Sequence, residues 1–174
     1  TGMDDAYARL AEVTQADLFL IQVDSRGWFR YHHLFQELLQ QRLLAQLPSG
    51  AVADLHRRAA EWLASNGQVH SAVHHFLAAG AATEAAALVE RFLRPALVHD
   101  LYQAQALLAL LPHEVIAHSP RLMLDRSYLA LHGNDTRALT YAREAESTIR
   151  KQQGQLPEPT ARQMLAELHV LIAS

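Results

Sequence analysis

The hydrophobic period of this chain changes at His33, and no other feature constrains its fold as strongly. Before that point the apolar residues come in short runs. Leu18-Phe19-Leu20-Ile21-Gln22-Val23 is too short and too β-branched towards its end for a helix, and reads as a strand. Asp24-Ser25-Arg26-Gly27 is turn chemistry, with a glycine free to take positive φ. Trp28-Phe29-Arg30-Tyr31 then pairs back as the second strand of a hairpin and runs through His32 and His33 into an apolar helix. From there the apolar residues recur at helical spacing, and no further strand is expected.

Ahead of the hairpin, Ala6, Tyr7, Leu10 and Val13 stand at helical spacing after two aspartates, which favours a helix over residues 4–13. A helix, a hairpin and a following helix make the closing part of a winged-helix unit. About 30 residues cannot bury an independent core, so the rest of that unit is expected upstream.

After His33 the stripes are punctuated by glycine and proline. Leu34, Phe35, Leu38, Leu39, Leu43 and Leu47 form the first, which Pro48-Ser49-Gly50 is expected to stop. Leu55, Ala59, Trp62 and Leu63 form the second, with Trp62 expected in the core and Asn66-Gly67 as a left-handed stop. Val69, Ala72, Val73, Phe76 and Leu77 follow, closed by Gly80. Ala85, Leu88, Val89 and Phe92 come next and are expected to break before Pro95. Leu97 to Leu111 reads as one helix ended by Pro112. Ser119-Pro120 is an N-cap followed by proline at the first helical position. Helices over 122–132, 136–151 and 160–173 complete the set.

An internal echo favours a repeat architecture. Gly67, Gly80 and Gly133 are each followed five residues later by alanine, at Ala72, Ala85 and Ala138. A glycine closing one helix and a small residue early in the next are what a close αα-hairpin requires. The fold class is therefore mainly α: a β-hairpin winged-helix remnant followed by a tetratricopeptide-like solenoid of helical repeats. Residues 1–48 are assigned to the C-terminal part of the winged-helix domain and residues 49–174 to the tetratricopeptide-like array.

Composition excludes several classes. The 174 residues carry a formal charge of −3 with no basic stripe, so direct DNA contact by this piece is not expected. Cysteine is absent, which excludes disulfides and thiolate metal sites and fits a reducing cytoplasm. No apolar run approaches the roughly 18–20 residues of a membrane span. The chain opens at Thr1-Gly2 without methionine and closes on a helix face, so it is expected to be a piece of a longer protein.

Catalytic signatures are missing. There is no phosphate-binding glycine loop, no nucleophile elbow and no cysteine nucleophile. His70 and His74, with His75 beside them, fall opposite the apolar stripe of their helix, towards solvent or a concave groove, and no third metal ligand accompanies them. His113-Glu114-Val115-Ile116-Ala117-His118 is one residue too long for a zinc-protease helix. Arg57-Arg58, beside His56, fits the outer side of its helix. The His32-His33 joint supports two readings. A histidine near a helix N-terminus, where backbone donors and the dipole favour an anion, suits a phosphate. Alternatively, His33 caps the helix while His32 fills a polar gap. In either reading the two side chains are expected to point to different sides.

The dispersed blocks resemble a known family. Ala16-Asp17-Leu18-Phe19-Leu20, Arg30-Tyr31-His32-His33-Leu34-Phe35, Leu55-His56-Arg57-Arg58-Ala59-Ala60-Glu61-Trp62-Leu63 and Ala72-Val73-His74-His75-Phe76-Leu77-Ala78-Ala79-Gly80 are similar to the MalT-like, ATP-dependent LuxR-type transcriptional regulators. Leu110-Leu111-Pro112 and Ser119-Pro120-Arg121-Leu122 continue the likeness more loosely. The resemblance implies a nucleotide-binding module, a winged helix, a helical linker, a tetratricopeptide-like sensor and a LuxR-type helix-turn-helix, in that order. By it, this chain holds the winged-helix end, the linker and the start of the sensor. ATP or ADP would belong to the parent protein, with no cofactor in this piece.

Tyr31-His32-His33-Leu34 also resembles the Met-His-Asp-Leu motif of plant resistance proteins, whose histidine contacts the phosphates of ADP. That likeness assigns phosphate sensing to His32, while His33 stands where the motif has aspartate. The expected function is thus a regulatory, non-catalytic segment. Its partners would be the nucleotide-binding module of the same protein and an unknown inducer or protein on the repeats. The rivals are a tetratricopeptide-like interaction scaffold and a winged-helix DNA-binding module using residues 4–47.

Overall fold

The computed structural model describes residues 12, 19–23 and 29–173. The expected helix over 4–13 lies outside them apart from helical Glu12, and so does the Asp24–Gly27 turn. Strand β1 (Leu20–Gln22) pairs antiparallel with β2 (Phe29–Tyr31), Leu20 opposite Tyr31 and Gln22 opposite Phe29. Nine helices follow among the described residues: α1 His33–Gln46, α2 Ser49–Ser65, α3 Val69–Ala78, α4 Ala82–His99, α5 Leu101–Leu108, α6 His113–His118, α7 Pro120–His132, α8 Ala138–Lys151 and α9 Glu158–Ala173. The described residues are mainly helical with one small antiparallel strand pair, in keeping with the change of period at His33.

Successive helices pack on one another from α2 to α5 and from α7 to α9, and α7 also meets α4 and α5. The connections between these helices are short. All three echo alanines, Ala72, Ala85 and Ala138, are buried. Gly67 and Gly80 take φ of 73° and 70°. After Gly67, Gln68 N–H donates to the Leu63 carbonyl at 2.9 Å, and after Gly80, Ala81 N–H donates to that of Phe76 at 2.9 Å. These six-to-one bonds satisfy carbonyls that a helix end leaves open.

The third stop is displaced by one residue. Gly133 has φ −85°, and Asn134 takes the left-handed position at φ 53°. Asp135 N–H then donates to the Ala130 carbonyl at 2.8 Å. Asparagine tolerates that conformation better than other non-glycine residues.

Four further expectations are corrected. Pro48 separates two helices, but Ser49 and Gly50 already belong to the first turn of α2. The proline forces Leu47 into extended backbone (φ −111°, ψ 143°) and itself precedes the next helix. Helix α4 continues through Pro95 to His99, because the exposed ring faces outward while Leu93 and Ala96 on either side are buried. The proline removes one backbone bond, which the flanking burial outweighs. The stretch from Leu97 to Leu111 is two helices and a tail. Asp100 breaks it, its carboxylate accepting from Tyr102 and Gln103 N–H at 3.0 Å each as the N-cap of α5. Trp62 is 49% exposed; the buried residues of α2 are Val52 and Ala60.

Ser119 caps α7 as its sequence indicated, accepting from Leu122 N–H at 3.2 Å while donating to Glu90 at 2.5 Å. Helix α7 lies deepest, with Leu122, Met123, Leu124, Asp125, Ser127 and Ala130 all buried. Helix α1 is its opposite: none of its residues is buried. No helix among the described residues is long and apolar enough to cross a membrane.

Candidate functional site

Phe19 shapes the hairpin-to-helix junction. It sits at φ 55°, a conformation that costs a non-glycine residue about 1 kcal/mol or more. Its carbonyl accepts the His32 N–H at 2.7 Å. The Phe35 ring lies 5.3 Å from that of Phe19 and 5.6 Å from that of Tyr31. Strand, helix and joint are thus held by one hydrogen bond and an aromatic trio.

His32 occupies the N-cap position of α1, yet no side chain caps the helix. The reading in which His33 caps it is corrected: His33 is already the first helical residue, and exposed. The two imidazoles do not diverge either. Their centroids are 4.4 Å apart with 36° between planes, because the chain is extended at His32 and helical at His33. The first turn of α1 contains no acidic residue, so its backbone donors keep their favourable potential for an anion.

A second constellation lies outside the sequence expectations. Asp125, only 1% exposed, sits on α7 beneath a groove bounded by α4 and α9. Arg121, one turn earlier, donates to its two oxygens at 2.6 and 3.3 Å, and through its third nitrogen to Glu167 of α9 at 2.7 Å. Gln163 donates to the other Glu167 oxygen at 3.0 Å, and Arg94 of α4 stands 3.8 Å from the same carboxylate. Burial pushes the Asp125 carboxyl above its ordinary range, against the pull of Arg121 and Arg94. Burial also opposes the Glu167 charge, but Arg121, Gln163 and Arg94 outweigh it and hold that carboxyl below its ordinary range. The signal available was an acid four residues after an arginine inside an apolar helix. It reads equally as a surface pair.

The groove measures about 640 Å³. At its far end Tyr128 and His132 stack at 4.0 Å, and His132 Nδ1–H donates to the Tyr128 carbonyl at 3.0 Å.

The clustered histidines separate in space. His70 and His74 are exposed, as their helix face implied. His75 instead turns to α2, its Nδ1 2.9 Å from that of His56. Burial, then His56 and His74, push the His75 imidazole below its ordinary value of 6.5. Nineteen residues separate that pair, and no local spacing rule finds it. Among the described residues no group of three or more histidines or carboxylates could hold a metal ion.

Residues 1–51 match the family model of the MalT winged helix domain. The chain is 36% identical over 131 residues, 74% of its length, to the HTH-type transcriptional regulator MalT of Cronobacter sakazakii (strain ATCC BAA-894), and covers 14% of that protein. It is 44% identical over 91 residues, 52% of its length, to the serine/threonine-protein kinase PknK of Mycobacterium tuberculosis (strain ATCC 25618 / H37Rv) and of Mycobacterium bovis (strain ATCC BAA-935 / AF2122/97), covering 8% of each. The chain therefore spans a small part of these relatives. No solved structure matches it.

Proposed function

We propose that the chain is part of a MalT-like regulator, in which it is a regulatory, non-catalytic segment coupling an effector on its helical array to the nucleotide state of its parent protein. The winged-helix match over residues 1–51 and the 36% identity to MalT support this reading. The observation that carries this reading is the junction. The hairpin runs through His32 into a helix whose N-terminus has no side-chain cap and whose apolar residues are all left at the surface or half-buried.

Such a helix end fits a phosphate: it offers backbone donors, two neighbouring imidazoles and no acidic residue in its first turn. In this reading His32 hydrogen-bonds the diphosphate of ADP held by the nucleotide-binding module and so favours the off state, with His33 beside it. Loading of the array shifts the packing of α1 on that module, withdraws His32 and frees the protein for self-association. A charge-assisted hydrogen bond contributes about 1.5–3 kcal/mol, which moves a two-state equilibrium about ten- to a hundredfold. The effect suffices for a switch.

His32→Ala in the full-length protein tests the role. Loss of ADP retention together with raised activity in the absence of inducer is expected. Unchanged retention and unchanged basal activity remove His32 from the mechanism.

The exposed leucines of α1 also favour a second reading, in which this segment is an interaction module. Similar stretches recur in relatives whose names are those of a transcriptional regulator and of a protein kinase. In that case His32→Ala leaves nucleotide binding intact, while substitutions of Leu38 and Leu44 abolish association with the partner.

A further inference from the structure

The groove over α7 is charged at one end, apolar along its middle, and carries the stacked Tyr128 and His132 at the other end. On each of its three helices the charged residue precedes the apolar one: Arg94 before Leu97, Arg121 before Leu124, and Glu167 before Leu171. The contacts of Glu167 with Arg121 and Arg94 gather the charged members together. Along α7 the groove runs from Arg121 to His132, about 16 Å at 1.5 Å per residue. Its volume of about 640 Å³ lies within the range of small-molecule sites. The shape suits a long, thin ligand with one polar end.

The hydrogen bonds at the charged end indicate the sign of that polar end. Both Asp125 oxygens are taken by Arg121, and the Glu167 oxygens by Arg121 and Gln163. Arg94 is committed less: its side chain is 49% exposed and reaches Glu167 only at 3.8 Å. A guanidinium has five N–H donors in a planar fork matched to a carboxylate. A cationic head approaching the remaining lone pairs of Glu167 would meet the like charges of Arg121 and Arg94, whereas an anionic head can take the open side of Arg94.

We propose that this groove binds a linear amphiphile with a single anionic head, such as a fatty-acid-like carboxylate, its head on Arg94 and its chain along α7. The proposal rests on the reading of the array as an effector sensor and names the chemical class of that effector.

Calorimetric titration of the chain with decanoate, decanol and decylamine, each below its aggregation threshold, tests it. Decanoate is expected to bind one-to-one and about tenfold or more tighter than decanol, the scale of one charge-assisted contact. Arg94→Gln should abolish that preference and leave decanol affinity unchanged, because Arg121 keeps Asp125 and Glu167. Val98→Glu, an exposed change at the apolar end, should weaken both ligands. The site is refuted by equal affinities for decanoate and decanol, by preference for decylamine, by a preference that survives Arg94→Gln, or by affinities untouched in Val98→Glu. Selective binding that leaves ADP retention in the full-length protein unaltered upholds the site and overturns the sensor reading.

Discussion

Helices α1 and α7 are close in length and both rich in leucine, yet their surroundings are opposite. In α7 Leu122 and Leu124 are buried, and α4, α5, α8 and α9 enclose the helix. In α1 the leucines at 34, 38 and 44 are 62%, 58% and 65% exposed, and α2 is the helix it packs on. An apolar stripe therefore states that a helix needs a partner without stating where the partner lies. In α7 the need is met within the array and extends to a buried acid. In α1 it is not met by the described residues, and the exposed face begins at the histidine joint.

The largest effect should separate these helices directly. Leu122→Ala removes a fully buried side chain and is expected to cost about 2–5 kcal/mol in urea unfolding, while Leu38→Ala should change stability by no more than about 0.5 kcal/mol. Comparable costs would show that α1 is enclosed as well. Next comes the buried acid. Asp125→Ala leaves Arg121 with Glu167 alone, and a loss of about 3 kcal/mol is expected, near the low end for breaking a buried pair. A neutral result would mean that the ion pair does not brace α7.

Smaller changes sharpen the contrast between the array, with its glycine stops, and α1, which ends ahead of a proline. Gly80→Ala forces a Cβ into left-handed backbone and should cost about 1 kcal/mol. Gly133→Ala, at a negative φ, should cost less although its Cβ comes within 3.1 Å of the Leu129 carbonyl, since Asn134 holds the turn. The reverse order would contradict the displaced stop.

The smallest effect is in pH. The folded protein holds His75 below its ordinary value, so the unfolded chain takes up a proton first. That contribution to stability is complete above the ordinary value and declines as pH falls through 6.5 towards the lowered value. The midpoint of thermal unfolding should drop over that window, and His75→Gln should flatten the drop. An unchanged slope would place the acid sensitivity elsewhere.

What could be read from the sequence was what neighbouring residues decide. The hairpin followed from two short apolar runs around turn residues. The stops at Gly67 and Gly80 and the Ser119-Pro120 cap followed from backbone chemistry that acts within one turn. Expectations failed where distant contacts prevail over local preference. Pro95 stays helical because Leu93 and Ala96 are anchored in the core, and Trp62 is outward because smaller residues fill the contact face of α2. Asp100 was a legible cap, masked by the unbroken apolar pattern around it. The candidate sites divide in the same way. His32 and His33 adjoin a visible change of period, whereas Asp125 with Glu167, and His56 with His75, become neighbours only through helix packing.

Backbone hydrogen exchange of α1 relative to α7, measured in the isolated chain and in the full-length ADP-bound protein, tests the central claim most directly. The account predicts rapid exchange in α1 and slow exchange in α7 for the chain alone, with α1 gaining strong protection in the ADP-bound protein and losing it in His32→Ala. Protection of α1 that is the same in the chain and in the full-length protein would contradict the claim that this helix docks on the nucleotide module through the histidine joint.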